Sequence, residues 1–467
     1  MITKQDILDR AVEWHLRPDV VEKDYVLGWL LAAVSRVPEI MDNWVFKGGT
    51  CIKKCYLETY RFSEDLDFSL APASVYAAEE LRAVLRSLAR AAGELSGIIF
   101  PEDLIEIRER HNKQGLQTFQ GKLAYGGPLR QMNTTTPPRV LFDLTRHEPV
   151  IDGPTPRPVF HPYPDVLPDG ATVPAYSLDE LLAEKTRALY ERTRPRDLYD
   201  VVYILDNPPG DLHLERVNRI FGQKCIIKDL KLPTVGDLVQ LAERDEELRS
   251  EWANMLAHQL PNLPQLTDLL VRLPRLIAWV EQPTAVLPDV ALPGAPVGVG
   301  ESSVIGPGIR YWGSGLPLEA IRFAGANRLL VEFDYHGRHR TVAPYSLRRA
   351  ATGNLLLYAQ EVNGEHIKAF KVAEMINVRS SRTAFNPRYR IELTASGPLS
   401  VPYSAASVLP RAYPRSHGRT GPTYVFRCPQ CQKEFRHSKN DSSLRKHKND
   451  YGWDCRGRRG YYERTEY

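Results

Sequence analysis

Apolar positions recur at helical spacing in "QDILDRAVEW" and "VVEKDYVLGWLLAAVSR", which predicts two helices near the start of the chain. The pattern then shortens. "NWVFK" predicts a brief strand ending at Gly48 and Gly49, and "CIKKCYLE" a helix after it. "LDFSL" and "RVLFDLTR" predict strands from their alternating, β-branched and aromatic content. From about residue 176 to residue 280 the spacing is helical again. Ser177 with Glu180 three residues on reads as a capping box, ahead of a stripe of Leu178, Leu181, Leu182 and Leu189. Thr193-Arg194-Pro195 reads as a break before a second helix with Pro195 in its first turn. The expectation is an α/β core to about residue 175 and a helical lobe after it, together spanning 1–282.

Residues 283–308 and 396–423 are rich in Pro and Gly and carry no period, so both read as linkers. Between them, in 309–395, "LLVEFDY" turns at His336-Gly337, and "LLLYAQEV" and "HIKAFKV" flank Asn363-Gly364, the strongest short hairpin signal. Short strands broken by turn residues predict a small β-barrel. Residues 424–467 form a last, short module.

The length, 467 residues, exceeds one ordinary core and predicts two to four domains, a multidomain α/β protein. The longest apolar run, "YVLGWLLAAV", is too short to span a bilayer, and the start of the chain lacks a signal-peptide layout. Three of the six cysteines sit near the end at metal-like spacing, and the others form no secreted disulfide framework. These features predict a cytoplasmic protein with no membrane partner. The net charge of +4 hides a split: from Ser396 onward the chain is +8, and residues 1–395 are −4. A basic tail on an acidic body fits either an anionic partner, nucleic acid being the usual one, or a solvated tail.

The stretch "KGGTCIKKCYLETYRFSEDLDFSL" carries the candidate chemistry. Residues two apart on a strand face the same way, so Asp65 and Asp67 project together. Two adjacent like charges call for a cation between them, and hard oxygen donors suit Mg²⁺ with substrate phosphates. Gly48 and Gly49 allow a phosphate to approach the backbone, and Thr50 opens a helix whose free N–H groups favour an anion. Arg61 and Ser63 precede the aspartates, Arg61 offering a bidentate fork to phosphate. Asp143, in "RVLFDLTR", fits a third carboxylate, or an acid facing water on an edge strand. Lys185 lies on an apolar helix stripe, which requires that it snorkel to an edge or meet an anion in a cleft. Asp197 and Asp200 share one helical face, where an ion-pair network with Arg192 and Arg196 is one reading.

"VEKDY", "FKGGTCIKKCY", "RFSEDLDF" and "EKTRALYERTRPRDLYD" occur in this order and resemble the AbiEii/AbiGii toxin family of nucleotidyltransferase-like proteins. The resemblance implies a minimal nucleotidyltransferase core with Mg²⁺ on Asp65 and Asp67, joined by Asp143. It implies a toxin of a toxin–antitoxin or phage-defence system, often with a separately encoded antitoxin, and in some members transfer to the acceptor end of tRNA. It favours a phosphate cleft for Lys185 and assigns Asp197 and Asp200 to nucleotide positioning or acid–base support. The expected nucleotide contacts are Gly48, Gly49, Thr50, Lys53, Arg61, Ser63, Lys185, Arg192 and Arg196. The expected reaction is in-line attack of an acceptor hydroxyl on the α-phosphorus of a nucleoside triphosphate.

The middle segment resembles a WYL domain through "VEFDY", "VAPYSL", "LLLYA" and "KAFKVAEMINV". The naming triplet is replaced by Leu355-Leu356-Leu357, and Glu374 stands at a usually basic position, which leaves Lys368 and Lys371 as ligand candidates and a docking role as the alternative. In the last module, Cys428 and Cys431 have knuckle spacing, with His447 and Cys455 completing a structural Zn²⁺ set; His437 competes less well. Lys446, Lys448, Arg456, Arg458 and Arg459, with Tyr461 and Tyr462 for base stacking, predict an RNA- or DNA-binding surface. Cys51 and Cys55 read as core. The leading reading is a toxin that transfers NMP from NTP to RNA. Its rivals are transfer to a protein side chain and an inactive nucleotide-sensing regulator that binds nucleic acid.

Overall fold

A computed structural model describes residues 1–72, 74–111, 117–129, 137–146, 148–284, 302–304, 316–350, 352–393, 423–437, 441–449 and 454–466. Most of both Pro/Gly-rich linkers falls outside these residues. By contacts the chain forms two units, Met1–Val401 and Pro402–Tyr467.

The first unit opens with helices α1 (Lys4–Glu13), α2 (Pro18–Val34) and α3 (Pro38–Asn43). Both long N-terminal helices sit where the periodicity places them. Thr3 caps α1 through a reciprocal capping box with Asp6. Helix α2 is buried nearly all round, as expected for a helix apolar on every face. Strand β1 (Trp44–Lys47) runs into α4 (Gly48–Cys51), which continues as one π-helical turn, Ile52–Tyr56. Then come β2 (Asp65–Leu70), α5 (Ala78–Ser96), β3 (Glu106–His111), β4 (Gln117–Ala124), β5 (Arg139–Thr145), β6 (Thr155–Pro158) and β7 (Thr172–Ala175). These seven strands form one mixed sheet in the order β3-β4-β5-β2-β1-β7-β6. One face of its centre is aromatic: Phe46 and Phe68 are directly paired, their rings 5.2 Å apart, and Phe142 stacks on Phe68 at 6.5 Å. The opposite face carries the candidate site.

The helical lobe comprises α6 (Leu178–Arg192), α7 (Pro195–Asp206), α8 (Leu214–Ile227), α9 (Val235–Arg244), α10 (Glu246–Leu256) and α11 (Leu266–Leu276). Ser177 accepts the Glu180 amide as a cap, but the reciprocal half of the expected capping box is missing. The Glu180 carboxylate instead accepts the amides of Ile151 and Asp152 and pairs with Lys224. Thr193 takes a left-handed conformation, φ 44°, which stops α6 so that Pro195 can start α7.

The expected small barrel is not present. Strands β8 (Ser302–Val304), β9 (Leu329–Tyr335), β10 (Arg338–Ala350), β11 (Leu355–Glu361), β12 (Ile367–Lys371) and β13 (Met375–Ala384), with α12 (Leu318–Ala326) before β9, form a sheet of order β12-β11-β10-β9-β13, β8 pairing β10. β12 and β13 remain unpaired to each other, so the sheet stays open; alternation and turn residues specify neighbours but not closure. His336 and Gly337, both at positive φ, make the predicted two-residue turn, whereas Asn363-Gly364 lies in a longer connection between Glu361 and Ile367. This sheet is docked on the helical lobe. Tyr199 donates to Asn327 (2.8 Å), Arg328 to the Asp206 carbonyl (2.7 Å), and Asn262 to the carbonyls of Ser380 and Ser381 (2.9 and 2.8 Å).

In the second unit, β14 (Thr423–Arg427), β15 (Glu434–His437) and β18 (Tyr461–Glu466) form one sheet, and β16 (His447–Lys448) pairs β17 (Asp454–Cys455). Among the described residues it contains no helix, so His447 is presented by a strand.

Candidate active site

Four polar residues stand in register across the centre of the large sheet. Lys47 on β1 is opposite Asp67 on β2, Asp67 opposite Asp143 on β5, and Asp143 opposite Gln120 on β4. Directly paired residues share a face, so the row projects to the side away from the phenylalanines. Asp65, two residues before Asp67, joins it. Asp143 is therefore on a central strand between β2 and β4, and the edge-strand reading falls.

The electrostatics follow from this crowding. Burial, then the charge of Asp143, then that of Asp65, push the Asp67 carboxyl up to about 7, against the pull of Lys47 and Lys185. Burial and Asp143 also raise Asp65, with Lys23 opposing. Among the described residues none of Asp65, Asp67 and Asp143 forms an ion pair; Gln120 Nε2 donates to Asp143 Oδ1 at 3.2 Å. Carboxylates gathered without a direct ion pair fit a hard divalent cation by donor type and by charge. The nearby lysine is already committed: Lys47 pairs with Glu148, a contact the primary structure does not signal.

Residues 29–281, more than half of the chain, match the family model described as nucleotidyl transferase AbiEii toxin, Type IV TA system. The chain belongs to this family. It is a nucleotidyltransferase toxin of the type IV toxin–antitoxin class. Among solved structures, MenT4, nucleotidyltransferase toxin Rv2826c from Mycobacterium tuberculosis H37Rv, is similar at 21% identity, covering 60% of this chain and 90% of that one with a TM-score of 0.41. No curated protein matches the chain in sequence.

In this AbiEii chain the glycine pair makes room for side chains of the protein itself. A Cβ on Gly48, at φ +78°, would stand 2.1 Å from Asp67 Oδ2, and one on Gly49 would stand 2.5 Å from Arg61 Nη2. The diglycine thus lets the aspartate and an arginine close on the backbone, a different reason from the phosphate approach expected. Gly48→Ala is expected to cost at least about 1–2 kcal/mol from the left-handed backbone alone, plus displacement of Asp67; urea denaturation measures it. Thr50 Oγ1 donates to the Asp65 carbonyl at 2.5 Å and ties α4 to the start of β2.

Arg61 does not present its fork to solvent. It is buried, with Nε and Nη2 on the two oxygens of Asp200 (2.6 and 2.8 Å) and Nη1 on Gln259 Oε1 (2.9 Å). Lys185 neither snorkels nor stands free, since its ammonium bridges Asp200 (2.9 Å) and Asp197 (3.2 Å). Arg192 completes the chain on Asp197 at 2.8 Å. Burial pushes Asp200 up, but Arg61 and Lys185 outweigh it and hold this carboxyl well below the usual carboxylate range. Asp197 and Asp200 are both engaged in ion pairs, as in the ion-pair reading, with Arg61, Lys185 and Arg192 as the cations. Arg196 is the exception: among the described residues it has no ion-pair partner, and its Nε is buried without a hydrogen bond. It lies within electrostatic reach of Asp65, Asp200 and Glu64. Lys53 points elsewhere, donating to the Glu58 carbonyl (3.0 Å) and resting over the Phe62 ring. Cys51 and Cys55 are core, as expected.

In the second unit the structure brings Cys428, Cys431, His447 and Cys455 together, their ligand atoms all within 4.8 Å of one another. His437 is not in that group. Lys446, Lys448, Arg456, Arg458 and Arg459 are exposed, as are Tyr461 and Tyr462. Among the described residues, no helix is long and apolar enough to cross a membrane.

Proposed function

We propose that this toxin transfers a nucleoside monophosphate from a nucleoside triphosphate to an RNA acceptor, with Mg²⁺ held by Asp65, Asp67 and Asp143. The row of uncompensated carboxylates across β2 and β5 carries this reading. Bound Mg²⁺ supplies charge neutralisation for the entering and leaving oxygens of an in-line displacement. The acceptor oxygen forms a bond to the α-phosphorus as the bond to pyrophosphate breaks. Asp143 takes the proton of the acceptor hydroxyl. Arg196, with spare guanidinium donors beside Asp65, contacts the triphosphate, and Ser63 flanks it. The Arg61–Asp200–Lys185–Asp197 chain holds α6 and α7 against the segment leading into β2, and so sets the position of Arg196. The exposed arginines, lysines and tyrosines of the second unit support an RNA acceptor, tRNA being one, through phosphate contacts and base stacking. The family supports a cognate antitoxin as partner.

The test is incubation of the purified chain with Mg²⁺, each labelled nucleoside triphosphate and a cell extract. Label in RNA is the expected result; label in protein, or none, overturns the acceptor or the transfer. Arg196→Ala is expected to raise KM for the nucleotide about tenfold or more, the loss of one charge-assisted contact of about 1.5–3 kcal/mol, with the melting temperature nearly unchanged. Unaltered nucleotide kinetics would remove Arg196 from the site.

A further inference from the structure

The nucleotidyl-transfer reading leaves the Cys/His cluster of the second unit unused. We infer that Cys428, Cys431, His447 and Cys455 hold a structural Zn²⁺ that the folding of strands β14 to β18 requires.

One sulfur–sulfur distance is close to that of ligands sharing a tetrahedral ion. Sulfurs about 2.3 Å from a common ion lie about 3.8 Å apart in a tetrahedron, and Cys428 Sγ and Cys455 Sγ are 3.7 Å apart. A disulfide needs about 2.05 Å, so the pair is not bonded. His447 Nε2 stands 3.2 Å from Cys431 Sγ. The other ring nitrogen, Nδ1, lies 2.8 Å from the Arg445 carbonyl. A carbonyl only accepts, so the proton is on Nδ1 and the Nε2 lone pair faces the sulfurs. This outer hydrogen bond is how metal-ligating histidines are commonly oriented.

The surroundings are shaped to the same end. A Cβ on Gly457 would lie 2.4 Å from Cys428 Sγ and 3.6 Å from Cys455 Sγ, so glycine is required where the backbone closes over the sulfurs. Phe435 packs on the edge of the His447 ring at 4.7 Å. The four ligands come from three separate pieces of chain, the 428–431 turn, β16 and β17, of which β16 and β17 pair with each other. Apart from the cluster, the buried apolar side chains of this unit among the described residues are Val425, Phe426 and Leu444. So small a core does not outweigh the conformational entropy of ordering the chain, and a bound metal supplies what is lacking. Three thiolates and one imidazole, with no fourth position open, select zinc over harder cations. The ion would pin the backbone from which Lys446, Lys448 and Arg456 project.

The test uses the full chain, purified without chelator, with elemental analysis for zinc and iron. About one zinc per chain is expected. Cys455→Ser and Cys431→Ser should each reduce zinc to less than about a tenth of that. Neither should change the helical circular dichroism, because every described helix lies before residue 402. Chelator treatment of the wild-type chain should open protease cleavage confined to 402–467, closed again by added zinc. A zinc-free chain whose second unit resists protease overturns the proposal, as does zinc retained in both variants. Stoichiometric iron in place of zinc overturns the metal assignment.

Discussion

Asp67→Asn is expected to lower nucleotide transfer by about a thousandfold while raising the melting temperature above pH 7 in chelator. The activity loss follows from removing a carboxylate on which the cation depends, at several kcal/mol of transition-state stabilisation and tenfold in rate for each 1.36 kcal/mol. The stability gain follows from the electrostatics of the apo site. The folded Asp67 carboxyl titrates at about 7, above its ordinary 3.8. Between those values the native state holds a proton that the unfolded chain has lost, so apo stability falls as pH rises. The penalty is roughly 3 kcal/mol once partial exposure is allowed for, fully present above pH 7, and absent from the neutral amide. Mg²⁺ should restore the wild-type melting temperature and leave the variant unmoved. Thermal denaturation from pH 4 to 9, with and without Mg²⁺, measures this, and a variant that loses stability at pH 8 would contradict it. Asp65→Ala should also abolish transfer in a folded protein.

Arg61→Ala is expected to destabilise the first unit by about 3–5 kcal/mol, the cost of leaving a buried partner charged and unpaired. Asp200 would keep Lys185 as its one ion-pair partner among the described residues, and Gln259 would lose its Arg61 donor. Arg61→Lys should recover little, because an ammonium cannot span both oxygens of Asp200 while also reaching Gln259. The space is specific as well, since Gly49 lacks the Cβ that would meet the guanidinium. Urea denaturation monitored by circular dichroism gives the value. A stable Arg61→Ala protein with a raised KM for nucleotide would instead return Arg61 to the phosphates.

The contrast between these two variants shows where sequence reading reached. The aspartate pair was legible because strand alternation is strict, and Asp143 because it interrupts an apolar strand. The Cys-x-x-Cys spacing likewise announced a Cys/His group that the fold brings together, and the helix break at Thr193 needed only local chemistry. The ion pairs of Arg61 and Lys185 are not legible in one dimension, because both residues are basic, near the motif, and indistinguishable there from phosphate ligands. What separates them from Arg196 is a partner 139 residues away in the case of Arg61 and the packing of α6 against the start of α7 in the case of Lys185. Lys47 went unnoticed since its partner Glu148 lies 101 residues on. The middle sheet stayed open against expectation because closure depends on strand tilt and stagger, not on the alternation of any one strand.

By itself the primary structure determined most of the local elements, the family resemblance, the carboxylate pair and the Cys/His group, since each depends on near-neighbour spacing. Only the tertiary structure decided which cations are paired inside the protein and which is left without an ion pair among the described residues. A buried charge must find its counter-charge wherever the fold brings one, and that distance along the chain has no period to read.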